Sequence, residues 1–315
     1  MAQAAVMVFF VLSGFLITKS ITRNYCDGGF DIKSYAIDRF DRIYPPFFVS
    51  MLLMVALVAL APSVFPSGSG SFLHLEAFLA RQGLYLDWGD LAGAAVFLNG
   101  FLTEGPEANG PLWSLSFEVW YYIAAGLIAW QRRLGVFLAI LVITGLGVLN
   151  RPFAVYSVVW FAGAVIALVH NHGAVMRGSA RVGAATMGAV AVVVGLLTIW
   201  QFTDLGSLNG RLVLVYNFSV GLMCACLLHL LCIKDLSLRP IAPGSAAFSY
   251  TLYVIHFPLL LFAFGAVQNW VYGSVGQAIF TAVIASCVIL MLSKALARHV
   301  EGLRPLKSRA LDSMA

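Results

Sequence analysis

Charge is the first thing this sequence lacks. Only 10% of its 315 residues are Asp, Glu, Lys or Arg, where a soluble domain carries about 25%. A water-soluble globular domain of this length is therefore excluded. Cysteine is scarce too: there are five, with Cys224, Cys226 and Cys232 in one apolar run and Cys26 and Cys287 far from them. That pattern builds no disulfide framework and reads as small buried hydrophobes. Metal-ligand spacings, a P-loop, H-E-x-x-H and G-x-S-x-G are all missing, as is any nucleic-acid-binding motif. So are the short alternating segments of a membrane β-barrel.

What the chain has instead is apolar length. Hydrophobic residues make up 61% of it and the mean hydropathy is +0.90. A helix needs about 20 residues to cross a hydrocarbon core of about 30 Å. Runs near that length fall at 3–18, 44–63, 112–130, 134–149, 153–170, 182–201, 212–233, 246–267 and 274–297. The fold class this predicts is all-α: a polytopic transmembrane helical bundle of about nine crossings, forming one membrane domain over 1–300 with a basic tail at 301–315. The opening run is followed, not preceded, by basic residues, so it reads as a span rather than a signal peptide.

The net charge of +5 fits a membrane protein whose basic residues collect on the cytoplasmic side. Lys19, Arg23, Lys33, Arg39 and Arg42 fill the first loop; Arg132 and Arg133, Arg177 and Arg181, then Lys234 and Arg239 mark three more; Arg298, Arg304, Lys307 and Arg309 crowd the tail. Opposite loops carry only Arg81, Arg151 and Arg211. The alternation places the C-terminus in the cytoplasm and 65–111 outside. Two apolar but short stretches in 65–111 read as interfacial or re-entrant pieces, with a pair of short crossings as the alternative. "FPSGSGS" at 65–71 is a flexible joint. The first crossing starts outside, directly after Met1, and this leads to the expectation that a complete protein has one helix before it.

Polar residues inside the apolar runs carry the functional signal. "GPLWSLSFEVWYYIAAG" places Glu118 within a crossing, at a cost to insertion of about 2.5–3.5 kcal/mol. Asn109 caps that helix, Pro111 suits its first position, and Ser114, Glu118 and Tyr122 share a face. In "SYAIDRFDRIYPPF", Ile32, Ala36, Phe40 and Ile43 form an apolar face that includes Arg39, while Asp38 and Asp41 point away. Tyr35, Arg39 and Arg42 make a stripe at the cytoplasmic surface. Snorkelling explains it, and so does a guanidinium pair aimed at phosphates. "SYTLYVIHFPLL" aligns Ser249, Tyr253 and His256, and Pro258 frees a backbone carbonyl. His170, His172, His74, His299 and His229 sit at helix ends, in loops, in the tail or on an apolar face. Ser13 and Gly14 in "FFVLSGFLI" are small residues suited to close helix approach.

Together "FFVLSGFLI", "DRFDRIYPPF", "PLWSLSFEVWYY" and "SYTLYVIHFP" resemble, in order and over essentially the whole chain, the membrane-bound acyltransferase 3 family of bacterial O-acyltransferases. The resemblance implies about ten transmembrane helices in the bacterial inner membrane. It also implies acyl transfer, acetyl above all, from acyl-CoA on the cytoplasmic side to a hydroxyl of a cell-surface carbohydrate or lipid-linked glycan, with no metal. On this reading Arg39 and Arg42, with Tyr35 beside them, grip the CoA. Trp113, Ser114 and Glu118 match the W-S-L-x-x-E motif on the acceptor side, with Glu118 catalytic. Ser13 matches S-G-F, and Tyr250, Tyr253 and His256 match the late helix, with His256 a second catalytic candidate. The family's Arg-x10-His motif lies on its first helix, and none of the six histidines here occupies that position. Two other readings stay open: a catalytically inactive or partner-dependent membrane protein, and a transporter.

Overall fold

The structure is a computed structural model that describes residues 2–26, 29–73, 81–171, 187–188, 190–198, 210–233 and 248–301. Its helices are α1 (Ala2–Cys26), α2 (Ile32–Val64), α3 (Trp88–Ala95), α4 (Leu112–Trp130), α5 (Arg132–Leu149), α6 (Arg151–Asn171), α7 (Gly210–Ile233), α8 (Ser249–Ala266) and α9 (Val275–Val300). Residues 190–198 are also helical. Among the described residues the only β-pairing is two isolated bridges, Ser71 with Gly83 and Asn99 with Thr103. Among the described residues seven helices are long and apolar enough to cross a membrane, and they fall on seven of the nine runs. Of the other two, 134–149 is the shorter α5, and 182–201 lies only partly within the described residues. The chain is an all-α polytopic protein. Leu16, Leu52, Val148 and Met291 all stand more than half exposed, as side chains facing lipid do. The basic tail, His74, His172 and the loop cations Arg177, Arg181, Lys234 and Arg239 lie outside the described residues.

The chain divides into two compact units, one of 1–35 with 117–239, the other of 36–116 with 240–315. In the first unit α1 packs against α6 so closely that an alanine Cβ at Gly14 would lie 2.0 Å from the Trp160 carbonyl oxygen, and one at Gly163 2.0 Å from that of Val11. Two facing glycines let the backbones touch, as the small residues of the first span predicted. Phe10 meets Tyr156 and Tyr121, the hydroxyl of Tyr25 donates to the Ala129 carbonyl, and Asn217 donates to Tyr156 and Gln3. These levels make α1, α4, α6 and α7 run parallel, as the charge alternation requires.

In the second unit α2 and α8 run parallel. Tyr250 donates to the Ile43 carbonyl at 3.1 Å, and the ring of Phe65 lies 5.5 Å from that of Phe262, tilted against it. α9 returns antiparallel: the Glu301 carboxylate at its end accepts the amide and hydroxyl of Thr251, so it caps α8. Two sequence expectations are corrected here. The inward stripe of α2 is Tyr35, Ile43, Phe47, Ser50, Met54 and Ala61; Phe40 is 56% exposed and Ala36 is exposed, because bilayer-facing positions need no polar face. Ser67, Ser69 and Ser71 bond one another, so 65–71 is a hydroxyl-locked turn rather than a joint. Finally, 65–111 contributes no span among its described residues: α3 has 8 residues, about 12 Å. The segment leaves α2 at the level of Phe262, yet Asn109 reaches the Val254 carbonyl. It has re-entered by about 12 Å, as the interfacial or re-entrant reading held.

Candidate functional site

Proline explains the first polar cluster. Pro258 has no amide hydrogen, so the carbonyl of Val254, four residues earlier, loses its helical donor. Ser50 supplies a hydroxyl at 2.6 Å and Asn109 an amide at 2.7 Å. Asn109 is therefore a buried brace, not the cap of α4, and its Oδ1 has no partner. Next to it, Tyr253 donates to the Pro111 carbonyl and bonds Ser114 at the start of α4. Since Tyr253 has one hydrogen, Ser114 donates to it. His256 lies one turn on, half-buried; its Nδ1 is 2.7 Å from the Tyr253 carbonyl. A carbonyl only accepts, so Nδ1 carries a hydrogen.

The second cluster surrounds Glu118, which is 3% exposed. Ser13 donates to its Oε1 at 2.7 Å, Tyr122 donates to the same oxygen, and the indole of Trp160 donates to Ser13 at 3.2 Å. Every hydrogen in that chain points toward the carboxylate. Ser13 is 11 residues into α1, about 16 Å along it, which puts the cluster deep among the spans. The cost of burying the carboxylate is offset by hydroxyl and indole donors. Tyr122 stood on the predicted face, whereas Trp160 was missed. Its only sequence signal was that an indole in an apolar run still needs an acceptor. Ser50 was missed as well, although Pro258 called for some such donor.

The remaining candidates divide between the two units. Arg39 is half-buried and Arg42 exposed on α2, with Tyr250 bonded to the carbonyl next to Arg42. Trp113 is half-buried in the first turn of α4. Tyr35 goes to the first unit: it is 5% exposed, its ring lies over Gly126 and its hydroxyl donates to the Tyr122 carbonyl. No group of three or more His, Cys, Asp or Glu residues is placed to hold a metal among the described residues. Cys224, Cys226 and Cys287 are free thiols.

Apolar helices that hold a buried, hydrogen-bonded carboxylate and a half-buried imidazole define a class, the multi-pass membrane proteins with polar chemistry inside their spans. A family model for an acyltransferase domain matches residues 1–296, and the chain belongs to the acyltransferase 3 family. A relative from Haemophilus influenzae, described as an uncharacterized protein, is 32% identical over 124 residues, which are 38% of this chain and 46% of the relative. The match thus spans less than half of that relative's length. No solved structure matches the chain.

Proposed function

We propose that this protein transfers an acyl group, acetyl above all, from acyl-CoA to a hydroxyl of a cell-surface carbohydrate or lipid-linked glycan across the bacterial inner membrane, with its C-terminus cytoplasmic. The observation that carries the reading is Glu118, buried within a span and accepting two hydroxyl hydrogens on one oxygen. A group arranged in this way suits a third hydroxyl, that of an acceptor. Family membership supplies the reaction type.

The roles follow from chemistry. Arg39 and Arg42 offer planar guanidinium forks to the phosphates of CoA. Ser114 and Tyr253 offer hydroxyls to the acceptor. The acceptor oxygen attacks the thioester carbonyl, its hydrogen passes to the Glu118 carboxylate, the new C–O bond forms as the C–S bond breaks, and the sulfur leaves as the CoA thiol after taking up that proton. When neutral, His256 offers a second proton acceptor at Nε2.

Acetyl transfer by membrane vesicles from cells expressing the full-length protein tests this reading. Arg39→Ala should raise the KM for acetyl-CoA about tenfold or more with little change in kcat, because a charge-assisted hydrogen bond contributes about 1.5–3 kcal/mol. Glu118→Gln should lower kcat by about 10²–10⁴-fold and spare KM. Normal kinetics from both variants at equal expression would contradict the assignment. Substrate uptake without any acyl transfer would favour a transporter.

A further inference from the structure

Between α8 and α9 the second unit holds a cavity of about 470 Å³, a volume typical of ligand clefts. Leu259, Ala263 and Ala266 of α8 line one wall, Ile284 and Val288 of α9 the other, and Trp270 closes one end. Thr281 is the one residue in the whole lining with a hydroxyl. Val288 is 43% exposed and Ile284 48%, so the groove opens sideways, toward the hydrocarbon in a chain whose helices span a bilayer. Three alanines create the space where larger side chains would have closed it.

The α8 wall has a direction. His256, Leu259 and Ala263 follow at i, i+3 and i+7, along one side of the helix. His256 therefore stands about one helical turn beyond Leu259, just past the foot of the dry groove. Beyond that foot lies Tyr253 as well, its ring centre 6.0 Å from that of His256. At the far end, Trp270 marks the polar boundary where α8 gives way to α9, as indoles do at membrane interfaces. An apolar trough with a polar foot matches an amphiphile lying lengthwise, tail in the groove and hydroxyl-bearing head at the foot.

The geometry points to this groove as the seat of the hydrocarbon tail of a lipid-linked hydroxyl acceptor, its head group beside Tyr253 and His256. This rests on the acyltransferase reading for the word acceptor, but not for the binding itself. Two measurements on the full-length protein in nanodiscs keep the two apart. In the first, dodecyl glucoside and methyl glucoside are compared as acceptors of acetyl from acetyl-CoA. The dodecyl compound should have a KM lower by about tenfold or more, since even one methylene in an apolar pocket is worth about 10-fold or more. Ala263→Phe should abolish that preference and leave methyl glucoside unchanged. The second needs no turnover: dodecyl glucoside brominated along its chain should quench Trp270 fluorescence saturably, and the quenching should disappear in Ala263→Phe and in Trp270→Phe. Ala266→Phe replaces Ala263→Phe if the latter lowers the melting temperature. Equal KM values for the two glucosides would overturn the proposal. So would absent quenching, or quenching by brominated phosphatidylcholine that dodecyl glucoside does not compete away. Saturable quenching with no acetyl transfer to either glucoside would keep the tail site and reject the acyltransferase reading.

Discussion

Replacing Gly14 by alanine should do more damage than any other single methyl added to α1. The new Cβ would lie 2.0 Å from the Trp160 oxygen, 3.0 Å from its carbonyl carbon and 3.2 Å from the Ala164 nitrogen, all backbone atoms that no rotamer change moves. Reaching an ordinary contact of about 3.4 Å requires α1 and α6 to part by about 1.4 Å, which is 3.4 minus 2.0. Overpacking of this kind costs about 1–3 kcal/mol. The same displacement stretches the Trp160–Ser13 bond, already 3.2 Å, past hydrogen-bond length, adding about 1 kcal/mol. The sum of about 2–4 kcal/mol corresponds to a melting temperature lower by about 5–15 °C. Scanning fluorimetry of the full-length protein in detergent measures it. Gly145→Ala on α5 is the control: nothing lies within 4 Å of its Cβ, so it should be neutral or slightly stabilising. Gly163→Ala makes the reciprocal clash, and because the first separation already relieves the second, the double variant should melt well above the additive value. Equal melting of Gly14→Ala and Gly145→Ala would refute the close α1–α6 contact.

Other expectations follow from single interactions. Ser50→Ala and Asn109→Ala each remove one donor from the Val254 carbonyl, and the double variant leaves it orphaned at about 1–3 kcal/mol beyond the singles; a melting series that is strictly additive would argue against the shared carbonyl. Asp90, in the first turn of α3, has its pKa raised by burial first and by the neighbouring carboxylates of Asp87 and Glu104 next. Its stabilising contribution is therefore full below the unfolded value near 3.9 and is lost as pH rises through the raised folded value. Asp90→Asn should accordingly melt higher than the parent at about pH 7 and equally at about pH 3, and a gap of the same size at both would refute it. Glu301→Ala removes the cap from α8 and should cost about 1 kcal/mol, read by the same melting assay.

Most of the fold was legible because lipid imposes a simple rule: a span needs about 20 apolar residues, and a lapse in apolarity must be satisfied from within. Seven of the predicted runs are helices of spanning length for that reason. Pro258 likewise announced a freed carbonyl. Its rescuers, Ser50 and Asn109, lie 204 and 145 residues away from Val254, and no periodicity links such distances. Asn109 read as a cap because caps are local, but the distant carbonyl won its amide. The buried face of α2 was misjudged for a related reason. Hydrophobic periodicity finds the side facing the core only when the other side is polar, and here Ile37, Phe40 and Phe48 are exposed.

Whether the Glu118 carboxylate is structural or catalytic can be decided by two substitutions that act on the same hydrogen-bond chain. Trp160 donates to Ser13 and Ser13 to Glu118, so the serine hydroxyl stands where an alcohol must stand to give its hydrogen to this oxygen. If the carboxylate is only a brace, Ser13→Ala and Glu118→Gln should lower stability together, because each breaks the same chain, and activity should fall no further than the folded fraction. If the carboxylate serves the acceptor, the two variants part company. Ser13→Ala leaves a hydroxyl-sized gap beside Oε1 that an acceptor alcohol can enter, so kcat per folded molecule should hold within about threefold. Glu118→Gln keeps the volume and a hydrogen-bond acceptor but lowers its basicity, so kcat should fall by the factor of about 10²–10⁴ that general bases contribute. Turnover per folded molecule that falls equally in both variants would make Glu118 a brace.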